Sequence, residues 1–313
     1  MPPAGAAEEP TPSAGGPGLM PPAQTAGGVV LHHLAGRRDR AGAPVLVVHA
    51  AGLHAGVYRE LAEHLAARPG VAGVFGLDLR CHGDSAKRPF ADWGDFARDV
   101  HEAVGHLGWA GEVVGVGHSL GGASCMLCEA AHPGLFRALY CFEPPTPMGP
   151  QPHMLAASAR RRQRAFPSRE EALRRLAGKP PFNRVTRRAL ESYVREGLRR
   201  DAAQYVWKCD PGDEARVYLT GLKSNVAEAA RRGRLDLQCP VVLAAGTAAP
   251  GHAEVSRAMD GLARLIPGCR LERYEGVEHF GIIEDPALVA ERVHRAVAGP
   301  AGLGYLHFGA SRL

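Results

Sequence analysis

Apolar runs with β character alternate with stretches of helical spacing along most of this 313-residue sequence. The predicted strands are residues 29–33, 44–49, 71–77, 112–117, 138–142, 240–245 and 269–273. The predicted helices are residues 56–68, 90–107, 119–132, 254–265 and 285–298. This alternation is typical of an α/β fold with a mostly parallel central sheet flanked by helices. The run PVLVVH at 44–49 has the continuous apolar character of a strand that is buried on both faces.

The alternation breaks between residues 144 and 236, where the sequence is Arg-rich and almost free of β-type runs. We therefore predict a core formed by residues 29–144 and 237–299, with a helical cap inserted at 145–236. Residues 1–28 are rich in Pro, Gly and Ala and are predicted to be disordered, and residues 300–313 are predicted to be a flexible tail.

The predicted cap contains a helix-capping motif and several aromatic side chains. Ser168 and Glu171 have the spacing of a capping box, which predicts a helix that begins after Ser168. The cap also contains aromatic side chains, which we expect to pack in its interior rather than to line a pocket: Phe166, Phe182, Tyr193, Tyr205 and Trp207. No motif in the cap identifies a substrate, so the substrate-binding residues stay unassigned.

Charge is distributed unevenly along the chain. The formal net charge is +5, which is too mild to indicate a nucleic-acid-binding protein. Residues 151–200, however, contain 13 Arg and 1 Lys against 4 Glu. This stretch is either a solvated helical face or a basic rim for an anionic substrate, and Arg160, Arg161, Arg162 and Arg164 are the candidates for such a rim.

The sequence contains seven cysteines and no apolar run of the roughly 18–20 residues that a membrane-spanning helix needs. The cysteine count is odd and no secretory signal is recognisable, so we expect reduced thiols in an intracellular protein without a membrane span. Cys125 and Cys128 have a Cys-x-x-Cys spacing, but they fall inside a predicted apolar helix without further ligands. They are expected to pack in the core, and no metal is implied.

The sequence ends in Ser311-Arg312-Leu313, which is similar to the Ser-Lys-Leu peroxisomal address. This tripeptide predicts recognition by a peroxisomal import receptor if the source is a eukaryote. Otherwise the expected location is the cytoplasm.

The segment GVGHSLGG, residues 115–122, contains a G-x-S-x-G motif centred on Ser119. It lies between a predicted strand and a predicted helix, which is the context of a nucleophile elbow. In such a turn the serine hydroxyl is presented at the beginning of the helix. The backbone N–H of Leu120 is then available to stabilise an oxyanion.

Two further groups complete the predicted chemistry. His279 follows the last predicted strand and precedes the last helix, as expected for the general base that activates an elbow serine. A second oxyanion donor should come from the loop after strand 44–49, and the best candidate is the N–H of Ala51.

The segments HAAGLHAGVY, LDLRCHGDS, GHSLGGAS and GVEHFGIIEDP occur in this order between residues 45 and 298. Together they resemble the α/β-hydrolase superfamily with a helical cap, and in particular its epoxide hydrolase, haloalkane dehalogenase and haloperoxidase-like branch. The sequence departs from this branch at the nucleophile, which is Ser119 rather than Asp and therefore implies acyl transfer. Cys81 also replaces the usual glycine in the Arg-Gly-His-Gly turn.

A third departure concerns the acid of the triad. The resemblance places this acid after the strand at 240–245, but the sequence there, GTAAP at 246–250, contains no carboxylate. Some dehalogenases and the related coelenterazine luciferases place their acid one strand earlier, which here corresponds to Glu143. We predict Glu143 as the acid that orients His279, and Glu254 stays open as the alternative.

These residues predict a serine hydrolase that acts on a small-molecule carboxylic ester or thioester through an acyl-enzyme on Ser119. His279 is the base, Glu143 is the acid, and Ala51 and Leu120 supply the oxyanion hole. No metal or organic cofactor is implied. Two alternatives stay open, namely hydrolysis of a carbon–carbon bond in a diketone and a non-catalytic binding protein with the same fold.

Overall fold

A computed structural model describes residues 19–37, 41–146, 151–223, 225–248 and 252–298. Its centre is an eight-stranded sheet with the spatial order β1-β2-β4-β3-β5-β6-β10-β11. The strands of this sheet are β1 (Ala23–Gln24), β2 (Val30–Gly36), β3 (Ala43–Val48), β4 (Val71–Asp78), β5 (Val114–His118), β6 (Ala138–Phe142), β10 (Val241–Gly246) and β11 (Arg270–Tyr274). The pairs β1–β2 and β2–β4 are antiparallel and all others are parallel. The mostly parallel α/β sheet predicted from the sequence is therefore confirmed.

Helices cover both faces of the sheet, and the central strands are therefore buried on both sides. Every residue of β4, β5, β6 and β10 is buried, which explains their continuous apolar sequences. The core helices are α1 (Arg59–Ala66), α2 (Gly94–Leu107), α3 (Leu120–Ala131), α9 (His252–Leu265), α10 (Gly281–Glu284) and α11 (Pro286–Ala298). A short 3-10 helix, Ala55–Tyr58, precedes α1. Buried residues of α2, α3 and α9 belong to one hydrophobic cluster, and those of α1 and α11 to another.

The described residues between β6 and β10 contribute no strand to the eight-stranded sheet, and this segment is called the insertion. Its helices are α4 (Gln151–Arg160), α5 (Arg169–Ala177), α6 (Arg187–Gly197), α7 (Pro211–Thr220) and α8 (Val226–Arg231). The N-cap of α5 is Ser168, whose side chain accepts a hydrogen bond from Glu171 N at 3.1 Å, as its spacing predicted.

The prediction of an almost strand-free insertion was wrong. A separate antiparallel sheet is formed by β7 (Ala165–Phe166), β8 (Leu198–Asp201) and β9 (Gln204–Trp207). The short sequences LRRD and QYVW form a hairpin in which only Leu198 and Trp207 are buried, so the long apolar run that marks a fully buried strand is absent.

The prediction that residues 1–28 are disordered was also wrong for residues 19–28. β1 pairs with β2 at Ala23↔Leu31, and the Thr25 hydroxyl and the Gly27 N–H both donate hydrogen bonds to the Glu102 carboxylate on α2. Composition did not reveal these tertiary contacts, which compensate the entropy lost on ordering the segment. Residues 1–18 and 299–313 lie outside the described part of the chain, and so does the predicted tail.

Candidate active site

Ser119 lies at the carboxyl end of β5, where the chain turns directly into α3. Its backbone has φ 52° and ψ −118°, a conformation that few residues other than glycine adopt. A Cβ at Gly117 would lie 2.4 Å from the Cα of Gly122, so only glycine allows the turn to close this tightly. The elbow predicted from G-x-S-x-G is therefore present as a strained strand–turn–helix.

Gly121 allows the beginning of α3 to approach the end of β3. A Cβ at this position would lie 2.1 Å from the carbonyl oxygen of Val48 and 2.8 Å from that of His49. This close approach brings the first turn of α3 against the loop that carries Ala51. The two predicted oxyanion donors, Leu120 N–H and Ala51 N–H, thus belong to segments in direct contact.

The loop that carries Ala51 is held by side chains on both sides of that residue. Ala50 N–H donates to the Tyr58 hydroxyl at 3.1 Å, and Gly52 N–H donates to Nε2 of His82 at 3.1 Å. Among the described residues, neither Ala51 N–H nor Leu120 N–H donates a hydrogen bond. These two amides are therefore free to bind an oxyanion.

His279 and Glu143 are hydrogen-bonded to each other although 136 residues separate them. Nδ1 of His279 lies 2.6 Å from Oε2 of Glu143. Glu143 directly follows β6, is only 5% exposed and has φ 44°, so a strained backbone directs a buried carboxylate. In a pair of a carboxylate and a neutral imidazole, this contact requires Nδ1–H of the ring to donate, which makes Nε2 the free ring nitrogen.

The GTAAP loop, which has no carboxylate side chain, contributes the backbone N–H of Gly246 to the site. This N–H donates to Oε1 of Glu143 at 2.9 Å, so the backbone of the GTAAP loop binds the carboxylate that its side chains do not provide. Ala248 N–H also donates to the carbonyl of Val277 at 3.0 Å, two residues before His279. The loop thus connects Glu143 with the segment that carries His279.

The rival acid does not share these contacts. Glu254 is an exposed residue in the first turn of α9, and among the described residues no hydrogen bond joins it to His279. The nearby Asp260 forms an ion pair with Arg273 at 2.8 Å.

Ser119 and His279 are not hydrogen-bonded to each other within the described part of the chain. The His279 side chain is 39% exposed, while the neighbouring His118 ring lies 5.1 Å from it between ring centroids.

The insertion contacts the loop that carries Ala51. A Cβ at Gly52 would lie 2.8 Å from the Glu214 carboxylate of α7. Glu214 is 7% exposed and forms an ion pair with Arg162, whose guanidinium also donates to the Tyr193 hydroxyl. Arg162 additionally lies 4.9 Å above the ring of Trp207.

The four arginines predicted to form a basic rim differ in whether they have a carboxylate partner. The Arg162 charge is balanced by Glu214, and Arg164 pairs with Asp210 at 2.8 Å. Arg160 and Arg161 are exposed at the end of α4 and just after it. Two of the four candidate arginines are therefore already neutralised by carboxylates of the insertion.

Cys81 has φ 64°, the conformation for which glycine is usual, and its thiol donates to the carbonyl of Arg88 at 3.2 Å. All seven cysteines lie in described ranges and are free. Cys125 and Cys128 are both buried, as expected for core residues. Burial raises the pKa of both thiols.

One group of potential metal ligands occurs among the described residues, namely His32, Asp78 and Asp84. Its polar atoms already have partners: Asp78 accepts from His32 at 2.8 Å and from Ala55 N–H at 2.7 Å, and Lys208 lies 2.5 Å from Asp84. The group therefore does not fit a metal ion. No helix within the described ranges is long and apolar enough to cross a membrane.

A cavity of about 440 Å³ lies away from the candidate catalytic residues. Its walls come from the second half of α3, from α8 and from the loops beside them, and they include Leu127, Asn225 and Arg234. None of Ser119, His279 and Glu143 lines it.

The comparison with known proteins agrees with the fold. Residues 45–292 match the sequence profile of the Alpha/beta hydrolase family. The chain belongs to this family. Membership supports a hydrolase, while no curated protein matches the chain in sequence.

Several solved structures are similar to this hydrolase. E-2-(acetamidomethylene)succinate hydrolase is 20% identical, with a TM-score of 0.70, 85% of this chain covered and 94% of the other. The peroxisomal alpha-beta-hydrolase Lpx1 of Saccharomyces cerevisiae is 22% identical, with a TM-score of 0.65 and coverage of 85% and 80%. A thioesterase domain from the curacin biosynthetic pathway is 17% identical, with a TM-score of 0.69 and coverage of 88% and 99%. At these identities the likeness shows the fold alone.

Sequence reasoning missed the residues that support the predicted ones. Tyr58, His82, His118, Glu214 and Gly246 all contact the loops that carry Ala51, Glu143 or His279. Tyr58, His82 and His118 lie inside motifs that carried the resemblance, but their partners are distant in sequence. The predicted Ser311-Arg312-Leu313 signal lies outside the described residues, and the localisation stays a prediction.

Proposed function

We propose that this protein is a serine hydrolase that cleaves a carboxylic ester or thioester through an acyl-enzyme. Ser119 is the nucleophile, His279 is the general base and then the general acid, and Glu143 orients His279. The N–H groups of Ala51 and Leu120 bind the oxyanion. The observation that carries the proposal is the 2.6 Å bond between Nδ1 of His279 and buried Glu143.

The protonation pattern supports this chemistry. The Glu143 carboxylate keeps the proton of His279 on Nδ1, which leaves Nε2 able to accept the Ser119 proton. The serine oxygen then attacks the carbonyl carbon, and the developing negative charge is stabilised by two amides without competing partners in the described structure. The protonated His279 donates its Nε2 proton to the leaving group, and water hydrolyses the acyl-enzyme.

The insertion is proposed to be a cap that lies against the catalytic edge of the sheet. Its Glu214 carboxylate packs on Gly52, beside the oxyanion donor Ala51. Glu214 and Arg162 neutralise each other at this point. An uncharged acyl group is therefore favoured near the oxyanion hole over an anionic one.

The test is pre-steady-state hydrolysis of a series of p-nitrophenyl esters by the wild type and by Ser119→Ala, Glu143→Gln and Glu254→Gln. We expect a burst of p-nitrophenol in the wild type and none in Ser119→Ala. Glu143→Gln should lower kcat by about 10⁴-fold, the effect of losing the acid in a working triad. Glu254→Gln tests the rival acid and should retain the wild-type rate.

The other outcomes discriminate between the alternatives. A normal rate in Glu143→Gln together with a slow Glu254→Gln would move the acid to Glu254. Ligand binding without turnover of any ester, and without labelling of Ser119 by a fluorophosphonate, would support a non-catalytic binding protein.

A further inference from the structure

A chain of hydrogen bonds connects the oxyanion loop, here residues 50–52, with the base loop, residues 277–280. Ala50 N–H donates to the Tyr58 hydroxyl at 3.1 Å, and that hydroxyl lies 2.8 Å from Nδ1 of His118. Nε2 of His118 lies 2.8 Å from the backbone carbonyl of His279. His118 immediately precedes Ser119, so the chain runs past the nucleophile from one loop to the other.

The two ends of this chain determine the direction of every bond. The carbonyl of His279 can only accept, so Nε2 of His118 must carry a proton and donate. A neutral imidazole has one N–H, and therefore Nδ1 accepts from the Tyr58 hydroxyl. The Ala50 N–H can only donate, so the Tyr58 oxygen accepts from it. The single proton of the Tyr58 hydroxyl is then donated to Nδ1 of His118.

The surroundings of His118 favour this single arrangement. The His118 and Tyr58 side chains are fully buried. The His118 ring packs edge-on against Phe142 at 5.9 Å and Phe280 at 5.7 Å between ring centroids. Burial, together with the neighbouring His279, lowers the pKa of His118 well below its usual value, so the ring stays neutral.

We propose that His118, in its Nε2–H form, is a positioning residue that holds the oxyanion loop and the base loop in fixed places relative to Ser119. This inference rests on the proposed hydrolase function. The bond from Nε2 fixes the backbone of His279, while Glu143 fixes its ring. The bond through Tyr58 fixes Ala50, whose neighbour Ala51 carries the proposed oxyanion donor. Displacements of about 1 Å in such groups cost on the order of 10²-fold in rate.

The first measurement tests the chain without any substrate. In ¹⁵N NMR spectra of protein labelled at histidine, His118 should show an unprotonated Nδ1 and a protonated Nε2. A protonated Nδ1 on His118 at neutral pH would overturn the proposal, because the bond from Tyr58 would then run in the wrong direction.

The second measurement separates the two bonds of His118. His118→Gln can retain a donor to the His279 carbonyl but loses the acceptor for Tyr58, and His118→Asn can retain the acceptor but loses the donor. Tyr58→Phe removes only the hydroxyl. We expect each variant to lower kcat for a p-nitrophenyl ester by about 10–10²-fold with little change in KM, because misplacement weakens transition-state stabilisation.

Two controls distinguish positioning from a general loss of stability. Tyr140→Phe removes a buried hydroxyl that is bonded to Tyr274 at 2.6 Å, outside the chain described here. His33→Gln removes a buried ring on β2, which is separated from β5 by two strands. Both should lower the free energy of unfolding while kcat stays near that of the wild type.

The outcomes keep this inference distinct from the proposed function. If the wild type shows a burst and Ser119 is labelled by a fluorophosphonate, but folded Tyr58→Phe and the His118 variants retain kcat, the positioning role is wrong and the hydrolase proposal stands. A wild type that shows neither a burst nor labelling contradicts the proposed function, and the positioning role with it. If the His118 variants do not fold, Tyr58→Phe alone decides.

Discussion

Gly246 occupies the point where the end of β10, the Glu143 carboxylate and the base loop meet. Its N–H binds Glu143, and a Cβ at this position would lie 2.3 Å from the carbonyl oxygen of Val277. The absence of a side chain therefore lets the base loop approach the strand end. The acid-free GTAAP segment supports the Glu143–His279 pair instead of supplying an acid of its own.

This arrangement predicts an unusually costly glycine replacement. Gly246→Ala should lower the free energy of unfolding by about 1–3 kcal/mol through overpacking and should lower kcat, because the base loop must move. Gly261→Ala is the matched control: no atom lies within 4 Å of its added Cβ inside α9, and this replacement should stabilise the protein by about 0.5–1 kcal/mol. Urea unfolding and ester turnover measure both effects, and an equally tolerated Gly246→Ala would contradict the close approach.

At the scale of elements, the insertion and the segment after β3 are joined by a buried and a half-buried carboxylate. α7 contributes Glu214, which packs on Gly52, and α6 packs against the 3-10 helix, where a Cβ at Gly56 would lie 2.3 Å from the Glu196 carboxylate. The insertion is thus in close contact with the segment that presents the proposed oxyanion donor.

Two ion pairs within the insertion provide a matched test of burial. Arg162 and Glu214 have side-chain exposures of 23% and 9%, whereas Arg164 and Asp210 have 60% and 40%. Arg162→Met should cost about 3 kcal/mol, because it leaves the buried Glu214 charge without a cationic partner and with only the Tyr218 hydroxyl as a side-chain donor. Arg164→Met should cost at most about 1 kcal/mol.

Urea unfolding of these variants, and of Arg162→Met combined with Glu214→Leu, completes the test. The double variant should recover most of the lost stability, because both charges are removed together. Equal costs for the two single variants would show that Glu214 finds another partner or solvent.

At the scale of the whole molecule, several histidines are buried in neutral form around the loop that carries Ala51. Burial, with a smaller contribution from His82, lowers the pKa of His49 to about 3, and burial also lowers the pKa values of His54, His82 and His118. His32 is the exception, because the Asp78 carboxylate outweighs the effect of burial and raises its pKa.

These shifts predict that the free energy of unfolding falls between pH 7 and pH 5. In the unfolded chain histidine has a pKa near 6.5, so at pH 5 the unfolded state binds protons that buried His49 cannot bind. Stability must then fall as the pH falls, by about 2 kcal/mol at pH 5 from His49 alone. Urea midpoints at pH 5, 6 and 7 provide the measurement, and a midpoint that rises towards pH 5 would contradict the neutral assignment.

Sequence and structure agree best where the signal is local or periodic. The G-x-S-x-G turn needs glycines at fixed offsets from Ser119, and the capping box at Ser168 closes within one helical turn. The short strands β7 to β9 were missed, because their half-exposed sequences lack the apolar run of a buried strand.

The sequence by itself determined the alternation of strands and helices in the core and the strained turn at Ser119, because these follow from hydrophobic periodicity and local sterics. The family resemblance, read together with the acid-free GTAAP segment, indicated Glu143 and His279 as candidates. Only the tertiary structure decided which of them meet. The parallel register aligns His118 with Phe142, and Phe142 with Ala244, so the residues that follow these strand ends lie side by side. Contacts across 136 residues, such as Glu143 with His279, depend on that register and on the buried groups that hold each loop.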